Sequence, residues 1–198
     1  MIAVVDSGVA NLASVLHALE RLGVHAELTA DPTVILNAEK VLFPGVGAAP
    51  RAMELLRERG LIDCLRQRTR PVLGICLGMQ LLFERSEEGP VDTLNLLRGE
   101  VRRFESKPGL TIPQMGWNQV ERSPARDSKL LNGIPNGAHF YFVHSYCARP
   151  GPSTVATCEY GERFAAVVEQ GPWMGVQFHP ERSGPAGARL LQNFLELS

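Results

Sequence analysis

The segment Val72-Leu73-Gly74-Ile75-Cys76-Leu77-Gly78-Met79-Gln80 decides the fold: an unbroken apolar run ends at a cysteine between two glycines, and a stretch with helical spacing follows to about Arg85. A short apolar run of this kind fits a parallel strand covered on both faces, and the periodic stretch after it fits a helix. The same alternation surrounds it. Ile2-Ala3-Val4-Val5 precedes a helical pattern from Asn11 to Leu22 that places Leu12, Val15, Leu16, Leu19 and Leu22 on one face. Val24 to Leu28 and Val41-Leu42-Phe43 are expected as further strands, and Ala48 to Arg59 as an amphipathic helix. Strands alternating with helices predict a three-layer α/β/α domain with a mostly parallel central sheet.

After about Gly89 the pattern changes to short β-rich segments separated by Pro, Gly and Asn turns: Leu97 to Phe104, Asn118 to Glu121, Phe140 to Val143, Thr154 to Cys158 and Phe164 to Val168. These are expected as added strands, some antiparallel. From Ala186 to Leu197 the residues Leu190, Leu191, Phe194 and Leu195 share a helical face, which predicts a closing helix packed on the sheet. With no repeat, linker or low-complexity stretch, residues 1–198 read as a single domain, long enough to bury roughly 70% of the unfolded surface.

Composition excludes several function classes. Net charge is −1 and the 20 basic residues are scattered, so no surface is expected to neutralise a phosphate backbone and no nucleic-acid partner is expected. No apolar stretch approaches the roughly 20 residues that span a bilayer, and the start lacks the basic region of a signal peptide; a cytoplasmic protein without a membrane partner is expected. Cys64, Cys76, Cys147 and Cys158 form no Cys-x-x-Cys pair, which fits a reducing compartment and disfavours a zinc site.

Gly74-Ile75-Cys76-Leu77-Gly78 is the thiol version of the Gly-x-Ser-x-Gly elbow, in which small neighbours let a strand and helix close around a strained, exposed nucleophile. At a helix N-terminus Cys76 also faces unpaired N–H groups that favour thiolate. Cys64, Cys147 and Cys158 lack that context and are expected as buried small hydrophobes. An amide leaving group needs a proton, and histidine is the usual carrier. Of five histidines, His179 ends the apolar run Gly175-Val176-Gln177-Phe178, where sheets of this type carry functional groups, and Glu181 two residues on can hold its ring. Pro44-Gly45-Val46-Gly47 follows a strand and has the freedom to turn an N–H of Gly45, Val46 or Gly47 toward an oxyanion, with the Leu77 amide as the second donor. Sequence leaves the resting conformation of that loop open, including a form in which Val46 presents its carbonyl and the oxyanion hole is completed only on docking.

Together Pro44-Gly45-Val46-Gly47, Gly74 to Gln80 and Phe178-His179-Pro180-Glu181 resemble the class I (triad) glutamine amidotransferases, over nearly the whole chain. The resemblance implies a flavodoxin-like fold, a Cys76-His179-Glu181 triad, L-glutamine as substrate, a glutamyl thioester intermediate and no cofactor or metal. It assigns substrate contacts to Gln80, Glu88 and the backbone of His144-Ser145-Tyr146. Asp6-Ser7-Gly8 with Asn11, Pro113 to Asn118 and Phe140 to Tyr146 are similar to one branch of the family, the glutaminase subunits that pass ammonia to a (β/α)₈-barrel cyclase in a heterodimer. Ser7 and Ala10 depart from that branch, where a tyrosine and a glycine are common. The resemblance makes Asn11, Trp117, Asn118, Tyr141 and Arg182 the interface candidates, although Trp117 and Tyr141 also suit a core. Glutaminases with other partners, and a catalytically silent binding subunit, are the competing readings.

Overall fold

The computed structural model describes residues 1–8 and 12–197. In chain order the elements are β1 (Ile2–Val5), α1 (Leu12–Arg21), β2 (Ala26–Thr29), α2 (Pro32–Asn37), β3 (Lys40–Gly45), α3 (Ala49–Glu58), α4 (Leu61–Arg66), β4 (Val72–Cys76) and α5 (Leu77–Gln80). They continue with β5 (Arg85–Ser86), β6 (Val91–Asp92), β7 (Glu100–Arg103), β8 (Gln114–Arg122), β9 (Ala138–His144), β10 (Tyr146–Ala148), β11 (Thr154–Glu159), β12 (Arg163–Gln170), β13 (Trp173–Val176), a 3₁₀ turn (Pro180–Arg182) and α6 (Gly184–Leu195).

Among the described residues nine strands form the main sheet in the order β2-β1-β3-β4-β13-β12-β11-β8-β9. The first five pair in parallel and the rest antiparallel, as the change of pattern after Gly89 leads one to expect. Successive strand residues feed opposite cores. Val4, Leu42, Leu73 and Ile75 pack with α1 and α6, while Ala3, Val5, Val41, Phe43 and Val72 pack with α2, α3 and α4. Burial on both faces is why these strands read as continuous apolar runs.

Several boundaries differ from the sequence reading. The helix expected to reach Arg85 is a single turn, because the carbonyls of Leu81, Leu82 and Phe83 are taken by backbone N–H groups of Leu94 to Leu97 instead of continuing the helical ladder. The chain then enters a small second sheet, β10-β7-β5-β6, that the sequence did not announce. α2 and α4 were likewise not anticipated. The expected strand from Val24 starts at Ala26, since the Val24 N–H still bonds to Leu19 of α1. β7 is shorter than expected and β8 longer, and β3 runs on through Pro44 and Gly45. Pro44 is tolerated because the β1 ladder ends at Leu42, leaving that edge without a partner needing its N–H. α6 starts and ends two residues earlier than expected.

Candidate active site

Cys76 ends β4 with φ 53° and ψ −110°, a conformation that L-residues rarely adopt. Its neighbours explain how it is held. A Cβ on Gly78 would lie 1.8 Å from the Phe43 carbonyl oxygen, and one on Gly74 would lie 2.7 Å from the Gly78 backbone. The elbow is therefore a backbone-on-backbone contact between α5, β3 and β4 that only glycine permits. A one-turn helix has a weak dipole, so the helix-terminus activation of Cys76 expected from the sequence is smaller than a full helix would give.

His179 follows β13, the parallel neighbour of β4, so it leaves the same sheet edge as Cys76. Its Nδ1 is 2.8 Å from Glu181 Oε1, and both side chains are almost wholly enclosed, which fixes the ring with Nε2 as its free nitrogen. Nε2 finds no hydrogen-bond partner among the described residues. Burial alone would lower the imidazole pKa, but the neighbouring Cys76 sulfur and the hydrogen-bonded Glu181 carboxylate outweigh it and raise it to about 10. His179 is thus a proton donor at neutral pH.

Cys76 and His179 face one cavity of about 290 Å³. Val46 and Gly47 line it from the end of β3, with Leu77 beside Cys76; Gly45 stands behind the wall, paired with Cys76 across β3 and β4. Val46 is 38% exposed and Gly47 has φ 93° with open space around it. Gln80, Glu88 and the segment His144-Ser145-Tyr146 also reach the cavity. The small second sheet brings two of these in, Tyr146 from β10 and Glu88 just past β5. Glu88 Oε2 accepts from the Ala49 N–H at 2.8 Å and so caps α3, which has no side-chain cap of its own. Gln80 Nε2 donates to the Tyr146 carbonyl at 2.8 Å, a brace on the backbone segment rather than a free hand toward ligand.

Sequence reasoning missed four contributors. Pro113 and Val143 line the cavity, the Val143 carbonyl 3.9 Å from Cys76 Sγ. Gln177 is buried against the sulfur. Ser183 Oγ donates to the His179 carbonyl at 2.6 Å and accepts from the Tyr141 N–H at 3.0 Å, while the His179 N–H donates to the Tyr141 carbonyl at 2.9 Å. The His179 backbone is thereby strung on both sides to β9. A serine four residues after the histidine was the available signal, indistinguishable in sequence from a helix cap.

Of the interface candidates, Asn11 lies outside the described residues. Trp117 is 55% exposed and meets the half-buried Tyr141 edge-on at 6.1 Å, with the Arg182 guanidinium 4.5 Å from the Tyr141 ring centroid. Met115, 67% exposed, extends this surface. Asn118 is tied inward, donating to the Glu159 carbonyl and accepting from Gln119. His17, His25 and His139 are exposed and off the cavity. Cys64, Cys147 and Cys158 are buried free thiols; burial pushes Cys64 up to about 11 and Cys158 to about 12, and Cys147 higher still, so all three stay protonated. Among the described residues no cluster of His, Cys, Asp and Glu could hold a metal, and no helix is long and apolar enough to cross a membrane.

Comparison with known proteins gives a consistent picture. A family model described as glutamine amidotransferase class-I matches residues 3–197. The imidazole glycerol phosphate synthase subunit HisH of Xanthomonas axonopodis pv. citri (strain 306) is 55% identical over 197 residues, covering 100% of this chain and 98% of that protein. That of Xylella fastidiosa (strain Temecula1 / ATCC 700964) is 51% identical over 196 residues, covering 99% and 97%. Among solved structures, a glutamine amidotransferase superposes with a TM-score of 0.75 at 23% identity, over 98% of this chain and 97% of that one. PurLQS from Thermotoga maritima gives 0.70 at 21% identity, over 98% and 96%. At such identities the two structures speak for the fold alone.

Proposed function

The chain belongs to the class I glutamine amidotransferases, and from that membership we propose that it is the glutaminase subunit of imidazole glycerol phosphate synthase. It hydrolyses L-glutamine to L-glutamate and ammonia and passes the ammonia to a cyclase subunit in histidine biosynthesis. The observation that carries this reading is the pairing of a strained cysteine with a carboxylate-held histidine at one sheet edge, on one cavity.

The chemistry follows from those positions. The Cys76 thiolate attacks the side-chain carboxamide carbon of glutamine, and the oxygen takes up negative charge facing the Leu77 N–H and the loop of Gly45, Val46 and Gly47. His179, protonated at rest, gives its proton to the departing nitrogen, so ammonia leaves and a glutamyl thioester remains. Neutral His179 then takes a proton from water as it attacks the thioester. The C–S bond breaks, glutamate departs, and the thiolate–imidazolium pair is restored. Glu181 stabilises the imidazolium and fixes its tautomer. The backbone of His144-Ser145-Tyr146 receives the glutamine α-carboxylate, with Gln80 and Glu88 shaping the pocket.

The partner is a (β/α)₈-barrel cyclase in a one-to-one heterodimer, docking on the exposed face of Trp117, Tyr141 and Arg182; Asn11 and Asn118 are further contacts on the family resemblance alone. Ammonia released into water would mostly be protonated and lose its nucleophilicity, which gives direct delivery a chemical reason. The test is glutamine turnover by the chain alone and with the cyclase and its ribonucleotide substrate. Strong stimulation supports the assignment, and unchanged turnover removes the histidine-pathway partner.

A further inference from the structure

One buried polar side chain of the site plays no part in the glutaminase steps. Gln177 is 0% exposed, with Nε2 3.8 Å from Cys76 Sγ and Oε1 3.1 Å from Gln80 Nε2. A carboxamide can be turned end for end, so its neighbours must determine which atom faces the sulfur. The Tyr146 carbonyl, which can only accept, determines it. Gln80 approaches that oxygen at 2.8 Å and must present its NH₂ there. The second proton of the same NH₂ points at Gln177, which must answer with its oxygen. That leaves the NH₂ of Gln177 toward Cys76. His144 locks the far end of the chain: burial lowers its imidazole pKa to about 4, so it is neutral, and its Nδ1, 2.8 Å from the same carbonyl, carries the ring proton and donates. Both lone pairs of the Tyr146 oxygen are then in use, and the direction of the whole relay is set.

We propose that Gln177 is a further catalytic residue whose amide N–H donates to the Cys76 sulfur, stabilising the thiolate before attack and again as the acyl-enzyme breaks down. This rests on the reading of Cys76 as nucleophile. A donor to the charged form favours that form, and a carboxamide does so without a proton to lose. The weak dipole of the one-turn α5 leaves room for such a donor, and His179, which must exchange its proton in each cycle, cannot hold the sulfur throughout.

The test is the rate of Cys76 alkylation by iodoacetamide from pH 5 to 10, read by peptide mass spectrometry. Gln177→Met keeps the length and removes the donor. It is expected to slow alkylation about tenfold at pH 7, the low end of what a hydrogen bond to a charged group supplies, and to leave the high-pH plateau unchanged. A change that merely loosened the pocket would instead move the plateau and expose Cys64, Cys147 and Cys158 to label. Gln177→Glu decides the matter if the Met variant loosens the fold, because it keeps the acceptor for Gln80 at nearly the same shape. Its carboxyl is the stronger acid, so the sulfur retains the shared proton and alkylation at pH 7 slows further. The other ionisable groups around the sulfur, His179 with Glu181 behind it and His144 and Glu88 on the cavity wall, are the same in every variant. Identical pH–rate curves for the wild-type chain and Gln177→Glu overturn the proposal. Wild-type label on a cysteine other than Cys76 overturns the nucleophile itself, a distinct result.

Discussion

Two glycine-flanked turns meet at the sulfur, and they are built in opposite ways. Around Cys76 the glycines are packed so closely that a methyl group on Gly78 would overlap the Phe43 carbonyl. Around Val46 the chain is on the surface, and a methyl group on Gly47 would touch nothing. Gly47 is needed there only for its positive φ. The Cys76 turn is thus fixed by the core, while the Val46-Gly47 turn lies open to solvent. Such a division suits the proposed glutaminase, with Cys76 always set and the oxyanion loop free to adjust when a partner docks.

The largest effect tests the chemistry of the fixed turn. Cys76→Ala should lower glutamine-dependent product formation by the complex by about 10⁴ or more, with ammonia-dependent formation retained. Comparable losses of both would place the defect in the fold rather than at the sulfur. Gly78→Ala probes the packing: overlap with backbone that cannot give way should cost about 4 kcal/mol or more, read from the urea midpoint. Gly47→Ala, facing only left-handed strain, should cost about 1 kcal/mol and lower turnover several-fold. Equal costs for Gly78→Ala and Gly47→Ala would erase the contrast between the two turns. Ser183→Ala should cost about 1 kcal/mol and reduce kcat more than KM, since it frees the His179 carbonyl from β9, with Ser183→Thr restoring much of the loss.

Stability should also depend on pH. His144 is neutral in the fold, with a pKa of about 4 against 6.5 unfolded. Between those values the unfolded chain binds a proton that the native chain does not, so stability falls as pH drops below 6.5. His179, raised to about 10, has the opposite sign: its contribution is whole below 6.5 and is lost as pH rises through 10. Thermal melts from pH 4.5 to 10 should show both limbs, and His144→Asn should flatten the acid one alone.

The elements around the site were legible where physics writes them locally. β1, β3 and β4 announce themselves as apolar runs, and α3 by its periodic face, because burial on both sides or on one stripe fixes residue type along a few consecutive positions. The extent of α5 was not legible. Leu81, Leu82 and Phe83 continue a helical pattern, but they are buried beneath a segment more than ten residues further on that takes their carbonyls. Gln177 looked like one polar residue within a strand. Only the neighbours of its amide, contributed by β4, α5 and β10, give it a direction.

Residue order alone determined the alternation of strands and helices, the cysteine elbow, and the histidine with a carboxylate two residues on, since each depends on groups close together in the chain. Tertiary structure decided that Cys76 and His179, separated by more than a hundred residues, share one sheet edge, because β4 and β13 pair in parallel. It also decided that the Tyr146 carbonyl orients two buried amides and that Tyr141 anchors the backbone of His179. Hydrogen bonds between distant segments form only once the sheet has set its register, and no local pattern of side chains records them in advance.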